Sequence, residues 1–89
     1  MCTYLTESVD LMGSGKGAEG WFALTAASVY FDHPTHAGPG HTLNIDFRNP
    51  DLGAAARVAV ELHAGSARAL AEAILSVLAA TPEELVGSD

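Results

Sequence analysis

The chain is short of cysteine, of positive charge and of long apolar runs, and each shortage excludes something. Cys2 is the single cysteine among 89 residues, so no internal disulfide can form, which fits a reducing compartment. Four Lys and Arg stand against eleven Asp and Glu, a formal charge of −7. Such a surface repels phosphate backbones, and no basic stripe interleaved with aromatics is present, which argues against nucleic acid as a partner. No stretch approaches the ~20 apolar residues of a membrane helix. The start, Met1-Cys2-Thr3-Tyr4, lacks the basic and apolar segments of a secretory signal. The expectation is a cytoplasmic protein without a membrane partner.

What is present suffices for one domain, 1–89, and no more. Hydrophobic residues make up 48% of the chain, but a chain this short hides only about 60–65% of the surface its unfolded form exposes. A thin core favours help from a partner subunit or a metal, so a homodimer or higher homo-oligomer is expected.

The pattern reads as strands first and a helix last. Imperfect alternation over Thr3–Leu11, with Leu5, Val9 and Leu11 on one side, predicts a half-buried strand. The glycine-rich segment from Gly13 to Gly20 predicts a loop. Trp21–Asp32 predicts a long second strand, and its apolar phase slips between Phe22/Leu24 and Val29/Phe31. That slip places a β-bulge near Ala26-Ala27-Ser28. After a loop from His33 to Gly40, His41–Arg48 alternates cleanly, with Leu43, Ile45 and Phe47 on one side. Asn49–Gly53 has turn composition, and Ala56–His63 supplies a fourth strand with Val58, Val60 and Leu62 inward. Ser66 is the expected cap of a helix that covers the sheet with Leu70, Ile74, Val77 and Leu78. Thr81-Pro82-Glu83-Glu84 resembles a second helix start, with Thr81 as cap, in a tail (81–89) expected to fray. The fold class is α+β: a four-stranded antiparallel sheet with a C-terminal helix packed on one face, ββββα.

The strongest chemical signal is His33-Pro34-Thr35-His36-Ala37-Gly38-Pro39-Gly40-His41, an H-x2-H-x4-H spacing. Neutral imidazole ligates zinc, copper, nickel or iron, and three histidines with one open position are an arrangement that catalytic zinc uses. His33 and His41 border the loop, so the hairpin would bring them together. Asp32, Cys2, His63 or a water would complete the set. The small second residue permits loss of Met1, leaving Cys2 with both amine and thiolate. A thiolate pulls the preference towards zinc, nickel or copper and away from magnesium or calcium. The spacing matches no standard structural zinc signature. A solvated histidine-rich loop and a metal-free, pH-sensitive histidine cluster stand beside the metal reading.

A second constellation alternates outward on the last two strands: Asn44, Asp46, Arg57, Glu61 and His63. The short turn between the strands sets Asp46 near Arg57 and Glu61 near Asn44. Cross-strand pairs of this kind contribute ~0.2–1 kcal/mol. The plain reading is a solvated sheet face. The sharper one is a polar floor under the histidine loop, with Glu61 as general base for a metal-bound water; a subunit interface is the third. The glycines around Lys16 lack the Gly-Lys-Ser/Thr ending of a phosphate loop, so a hairpin connection is expected there. Trp21 and Phe22 read as core or interface, and Cys2 with a histidine is a weaker, nucleophilic alternative.

The segments Gly20-Trp21-Phe22, Val29-Tyr30-Phe31-Asp32-His33-Pro34 and His41-Thr42-Leu43-Asn44-Ile45-Asp46-Phe47 resemble a family of small actinobacterial proteins, a domain of unknown function. The likeness continues through Ala56–Leu62 and Ser66-Ala67-Arg68. It implies a bacterial, cytoplasmic, stand-alone domain and brings no catalytic residue and no substrate. The leading expectation is therefore a small metal-binding protein whose ion, zinc first, acts on a small metabolite. The competing expectations are a non-enzymatic accessory module docking on a larger enzyme, and metal storage or delivery.

Overall fold

The computed structural model describes residues 5–32 and 40–87. Four strands, β1 (Thr6–Gly17), β2 (Gly20–Asp32), β3 (Thr42–Arg48) and β4 (Arg57–Leu62), precede helix α1 (Ala64–Ala80) and one further helical turn, α2 (Glu83–Val86). The strands form one antiparallel sheet in the order β1-β2-β3-β4. This is the expected ββββα arrangement. All connections within the sheet join neighbours, as short loops between antiparallel strands require.

The glycine-rich segment does not form a loop. β1 runs through Gly17, β2 starts at Gly20, and only Ala18 and Glu19 turn between them. Gly20 has φ +113°, a conformation that any side chain would strain. The adjoining strand tolerates glycine because large neighbours fill the space. A Cβ on Gly15 would lie 2.9 Å from Leu24 Cδ1, and one on Gly17 would lie 3.0 Å from Phe22 Cε1. The missing side chains thus make room for Leu24 and Phe22 on the facing strand.

The bulge is in the other strand of that hairpin. Asp10 pairs with Ala26 and Gly13 with Leu24, so Leu11 and Met12 together oppose Thr25. Two residues against one is the signature of a β-bulge, which bends the strand and raises its twist. Meanwhile β2 pairs without interruption with β3 from Ala26 to Asp32. The phase slip seen in β2 has a different cause. Phe22 and Leu24 stay on one face while Val29 and Phe31 stay on the other, so the two halves of β2 bury opposite faces. The outer strands β1 and β4 also touch each other, so the sheet is curled, not flat.

Register assigns the faces. Ala27↔Phe47↔Val58, Val29↔Ile45↔Val60 and Phe31↔Leu43↔Leu62 form rows on an apolar face; Ser28↔Asp46↔Ala59, Tyr30↔Asn44↔Glu61 and Asp32↔Thr42 form rows on a polar one. The 3-10 turn Pro50–Leu52 links β3 to β4. It is capped by Asn49, whose Oδ1 accepts from the Asp51 N–H at 3.1 Å while its Nδ2 donates to the Ala23 carbonyl at 3.0 Å. That single buried side chain ties the turn to β2.

The helix begins earlier than expected. His63, not Ser66, is the N-cap of α1, and no side chain bonds the first turn. Thr81 does not cap α2 either. Pro82 precedes that turn, and the Thr81 hydroxyl donates back to the Val77 carbonyl at 2.7 Å. Most consequentially, α1 packs only loosely on the apolar face of the sheet. It contacts β3 and has no buried residue. Among the described residues the only buried hydrophobic side chain is Ala27.

Candidate functional site

The polar face carries side-chain hydrogen bonds across three strands, β2, β3 and β4. Arg57 Nη2 donates to Asp46 Oδ1 at 2.6 Å, and the Tyr30 hydroxyl donates to Asp46 Oδ2 at 3.1 Å, so one carboxylate joins three strands. Arg48 Nη2 donates to Ser28 Oγ at 2.8 Å. Beside them the Thr42 hydroxyl donates to Asn44 Oδ1 at 2.6 Å. Thr42 and Asn44 are only 1% and 5% exposed, and no buried side-chain nitrogen or oxygen among the described residues is left unpartnered. A buried polar group without a partner costs ~1–3 kcal/mol, so these pairings are what allows threonine and asparagine to sit where an aliphatic residue would otherwise be expected.

The expected neighbours are therefore met: Asp46 pairs with Arg57, and Glu61 lies opposite Asn44. Tyr30 is the member that strand alternation alone did not single out. Its signal was its place in the same outward phase as Ser28 and Asp32. Its phenol is held above the ordinary tyrosine value, first by burial, then by the charge and hydrogen bond of Asp46, with Arg57 opposing in part. Chemically this face offers a neutral phenol donor, a bridged carboxylate and two guanidinium groups. That is a recognition surface for polar groups more than a set of reactive ones.

The proposed metal ligands divide. Cys2, His33 and His36 lie outside the described residues. Asp32, His41 and His63 all lie at one end of the sheet, where β2 ends, β3 begins and β4 passes into α1. His41 is on the apolar side: its ring stacks on Phe31 with centroids 5.7 Å apart and planes 11° from parallel. Asp32 alternates with Phe31 and so belongs to the polar face, in the Thr42 row. His63 is exposed at the start of α1. Among the described residues, no three His, Cys, Asp or Glu side chains are grouped to hold an ion. Glu61 is half-buried on the polar face, two residues before His63.

The third feature is a groove of about 560 Å³ between α1 and the apolar face. Val29, Phe31, Leu43, Ile45 and Leu62 form its floor, and Leu70 and Ile74 of α1 its wall. A smaller hollow of about 340 Å³ continues across the same face towards β1, past Leu5 and Val9. No described helix is long and apolar enough to cross a membrane. Trp21 is 70% exposed and Phe22 half-buried. Both line a hollow of about 290 Å³ against Leu52.

A curled four-stranded sheet with a polar network on one face, and a loosely held helix over an apolar groove on the other, defines a small α+β sheet-and-helix domain. The chain belongs to a family of unknown function, DUF6295, whose model matches residues 1–87. Neither a curated protein nor a solved structure matches it.

Proposed function

We propose that the chain is a non-enzymatic interaction module that works through its apolar face, docking α1 and the sheet against a protein surface. The observation that carries this reading is the exposure of α1. Twelve of its 17 residues are alanine, leucine, isoleucine or valine, yet Leu75 and Val77 are each 66% exposed, and Leu70, Ile74 and Leu78 about half. Contiguous exposed apolar surface on a soluble domain marks an interaction site. Complete burial of such a side chain is worth ~1.5–3 kcal/mol, so the five forfeit on the order of 4–8 kcal/mol by standing open. That is comparable to the whole stability of a small domain. A reducing, cytoplasmic setting suits the lone cysteine.

The test is dye binding and substitution. The wild-type chain should enhance the fluorescence of an apolar dye, or, if a protein already covers the groove, do so only after dilution. Ile74→Glu should abolish the enhancement with the far-UV circular dichroism unchanged. A chain that binds no dye at any dilution, and whose stability is indifferent to Ile74→Glu, would refute the reading.

Metal binding at the histidine-rich loop is the second reading. It is supported by the H-x2-H-x4-H spacing and by His41, whose stacking on Phe31 holds one imidazole in a set orientation at the loop's base. Its chemistry would be water activation or carbonyl polarisation on a small metabolite, with Glu61 as base, or else storage or delivery of the ion. Zinc is the first choice; nickel, copper and iron follow. Near-stoichiometric metal in protein purified without chelators, lost in His36→Ala, would support it. Protein free of metal that also takes up none from added zinc would sink it.

A further inference from the structure

Resting on the docking reading, we propose that the groove's occupant is a second copy of this chain, with α1 of each copy seated antiparallel against α1 and the groove of the other about a two-fold axis.

Three observations select a second copy. The first is area. Leu70, Ile74, Leu75, Val77 and Leu78 of α1 and Leu5 and Val9 beside it are 46–66% exposed, around hollows of about 560 and 340 Å³ on one face. A continuous apolar patch of this kind is what an isologous interface of ~800 Å² per partner requires. The second is charge. Two chains of formal charge −7 repel each other over most approaches. The apolar face is the exception: of the residues lining its two cavities, only Glu7 and Arg68 carry a full charge. Two acidic copies can meet there with the least repulsion.

The third is the polarity of the helix itself. Arg68, the one basic residue of α1, lies in its first turns and lines the groove, while Glu83 and Glu84 follow its C-terminal end. An isologous contact brings residue i of one copy to j of the other and j to i. Antiparallel helices therefore set Arg68 of each copy beside the acidic pair of its mate, twice per dimer. Helix dipoles also oppose favourably in that arrangement. The apolar arc of α1 exceeds what its own sheet covers: Leu75, Val77 and Leu78 do not line the groove of their own chain. They are the side chains that would fill the other copy's groove.

The experiment is sedimentation equilibrium on the full chain between 1 and ~200 µM, with dye binding in parallel. Wild type is expected at twice 9.2 kDa, that is, as a dimer. Ile74→Glu and Leu78→Glu should each weaken dimerisation by 100-fold or more. Because either could also disturb folding, Arg68→Glu provides a milder probe. It should weaken the dimer roughly 10-fold, and Glu83→Arg/Glu84→Arg in the same chain should restore most of that loss. Monomer at 200 µM overturns the second-copy proposal. If that monomer binds dye and loses it in Ile74→Glu, the docking reading stands and the partner is a different protein; if it binds none, both fall. A dimer that survives folded Ile74→Glu, or Arg68→Glu without the charge-reversal rescue, uses another surface and also overturns the proposal.

Discussion

Removing the Asp46 carboxylate should destabilise the sheet chiefly through Tyr30 and only secondarily through Arg57, although the Arg57 contact is the shorter. Arg57 reaches Asp46 at 2.6 Å, but its side chain is 51% exposed against 19% for Asp46. Exposed ion pairs of this kind are worth ~0.2–1 kcal/mol because water and salt screen them. The Tyr30 hydroxyl meets the same carboxylate at 3.1 Å in a part-buried setting, where a hydrogen bond to a charged group contributes ~1.5–3 kcal/mol. Asp46→Ala should therefore cost about 2–3 kcal/mol. Asp46→Asn keeps an acceptor for the phenol and should cost about 1 kcal/mol. Double-mutant cycles divide the loss: coupling of Asp46 to Tyr30 (with Tyr30→Phe) of ~1–2 kcal/mol, and to Arg57 (with Arg57→Ala) below ~1 kcal/mol. Urea unfolding followed by circular dichroism at one fixed protein concentration supplies the values, since any self-association makes stability concentration-dependent. Raising salt to ~1 M should erase the Arg57 coupling and leave the Tyr30 coupling largely intact. An Arg57 coupling larger than that of Tyr30, or Asp46→Asn as damaging as Asp46→Ala, would refute this ranking.

Three further outcomes are expected. Asn49→Ala, which strips both the Asp51 N–H and the Ala23 carbonyl of a partner at a buried position, should lower stability by about 2–3 kcal/mol; Asn49→Asp, which sets an oxyanion against that carbonyl, should not rescue it in the same urea titration. Gly20→Ala should cost about 1–2 kcal/mol because of its positive φ, whereas Gly13→Ala, where an added Cβ meets nothing within 4 Å, should change thermal stability little. Burial and Asp46 raise the Tyr30 phenol above its unfolded value of about 10, so the contribution of the neutral phenol is complete below that pH and is lost as pH rises through the folded value. Wild-type stability should then fall more steeply above pH 10 than that of Tyr30→Phe, and parallel curves would count against the assignment.

Strand alternation on β3 and β4 made their register and faces legible before any coordinates. Leu43, Ile45 and Phe47 share one phase, Val58, Val60 and Leu62 share the matching one, and a short turn leaves a single way to align them. That register brings Asp46 and Arg57 within reach on a diagonal, since the facing pairs are Asp46↔Ala59 and Arg48↔Arg57. Where local composition misled, a neighbouring strand had decided the outcome. Gly13, Gly15 and Gly17 look like a loop by propensity but pair as a strand, and at Gly15 and Gly17 the side chains of Leu24 and Phe22 across the hairpin take up the space left open. The break in β2's apolar phase pointed to a bulge, and there is one, but the extra residue sits in β1. The slip in β2 has another origin: its two halves bury opposite faces, Phe22 and Leu24 on one and Val29 and Phe31 on the other. Of the three histidines in that segment, only His41 lies within the described residues, and its stacking on Phe31 is a diagonal contact that no spacing rule encodes.

Periodicity and turn chemistry are local, and they suffice for element order, antiparallel pairing and the division into a polar and an apolar face. Which surfaces stay uncovered is not a local property. The helix was expected to close the sheet because its leucines recur at helical spacing, but spacing says only that a stripe exists, not that the connection at His63 lays it down tightly. The path from β4 into α1, set by the extended backbone of His63 and the curl of the sheet, leaves the groove open, and only the tertiary arrangement could decide that.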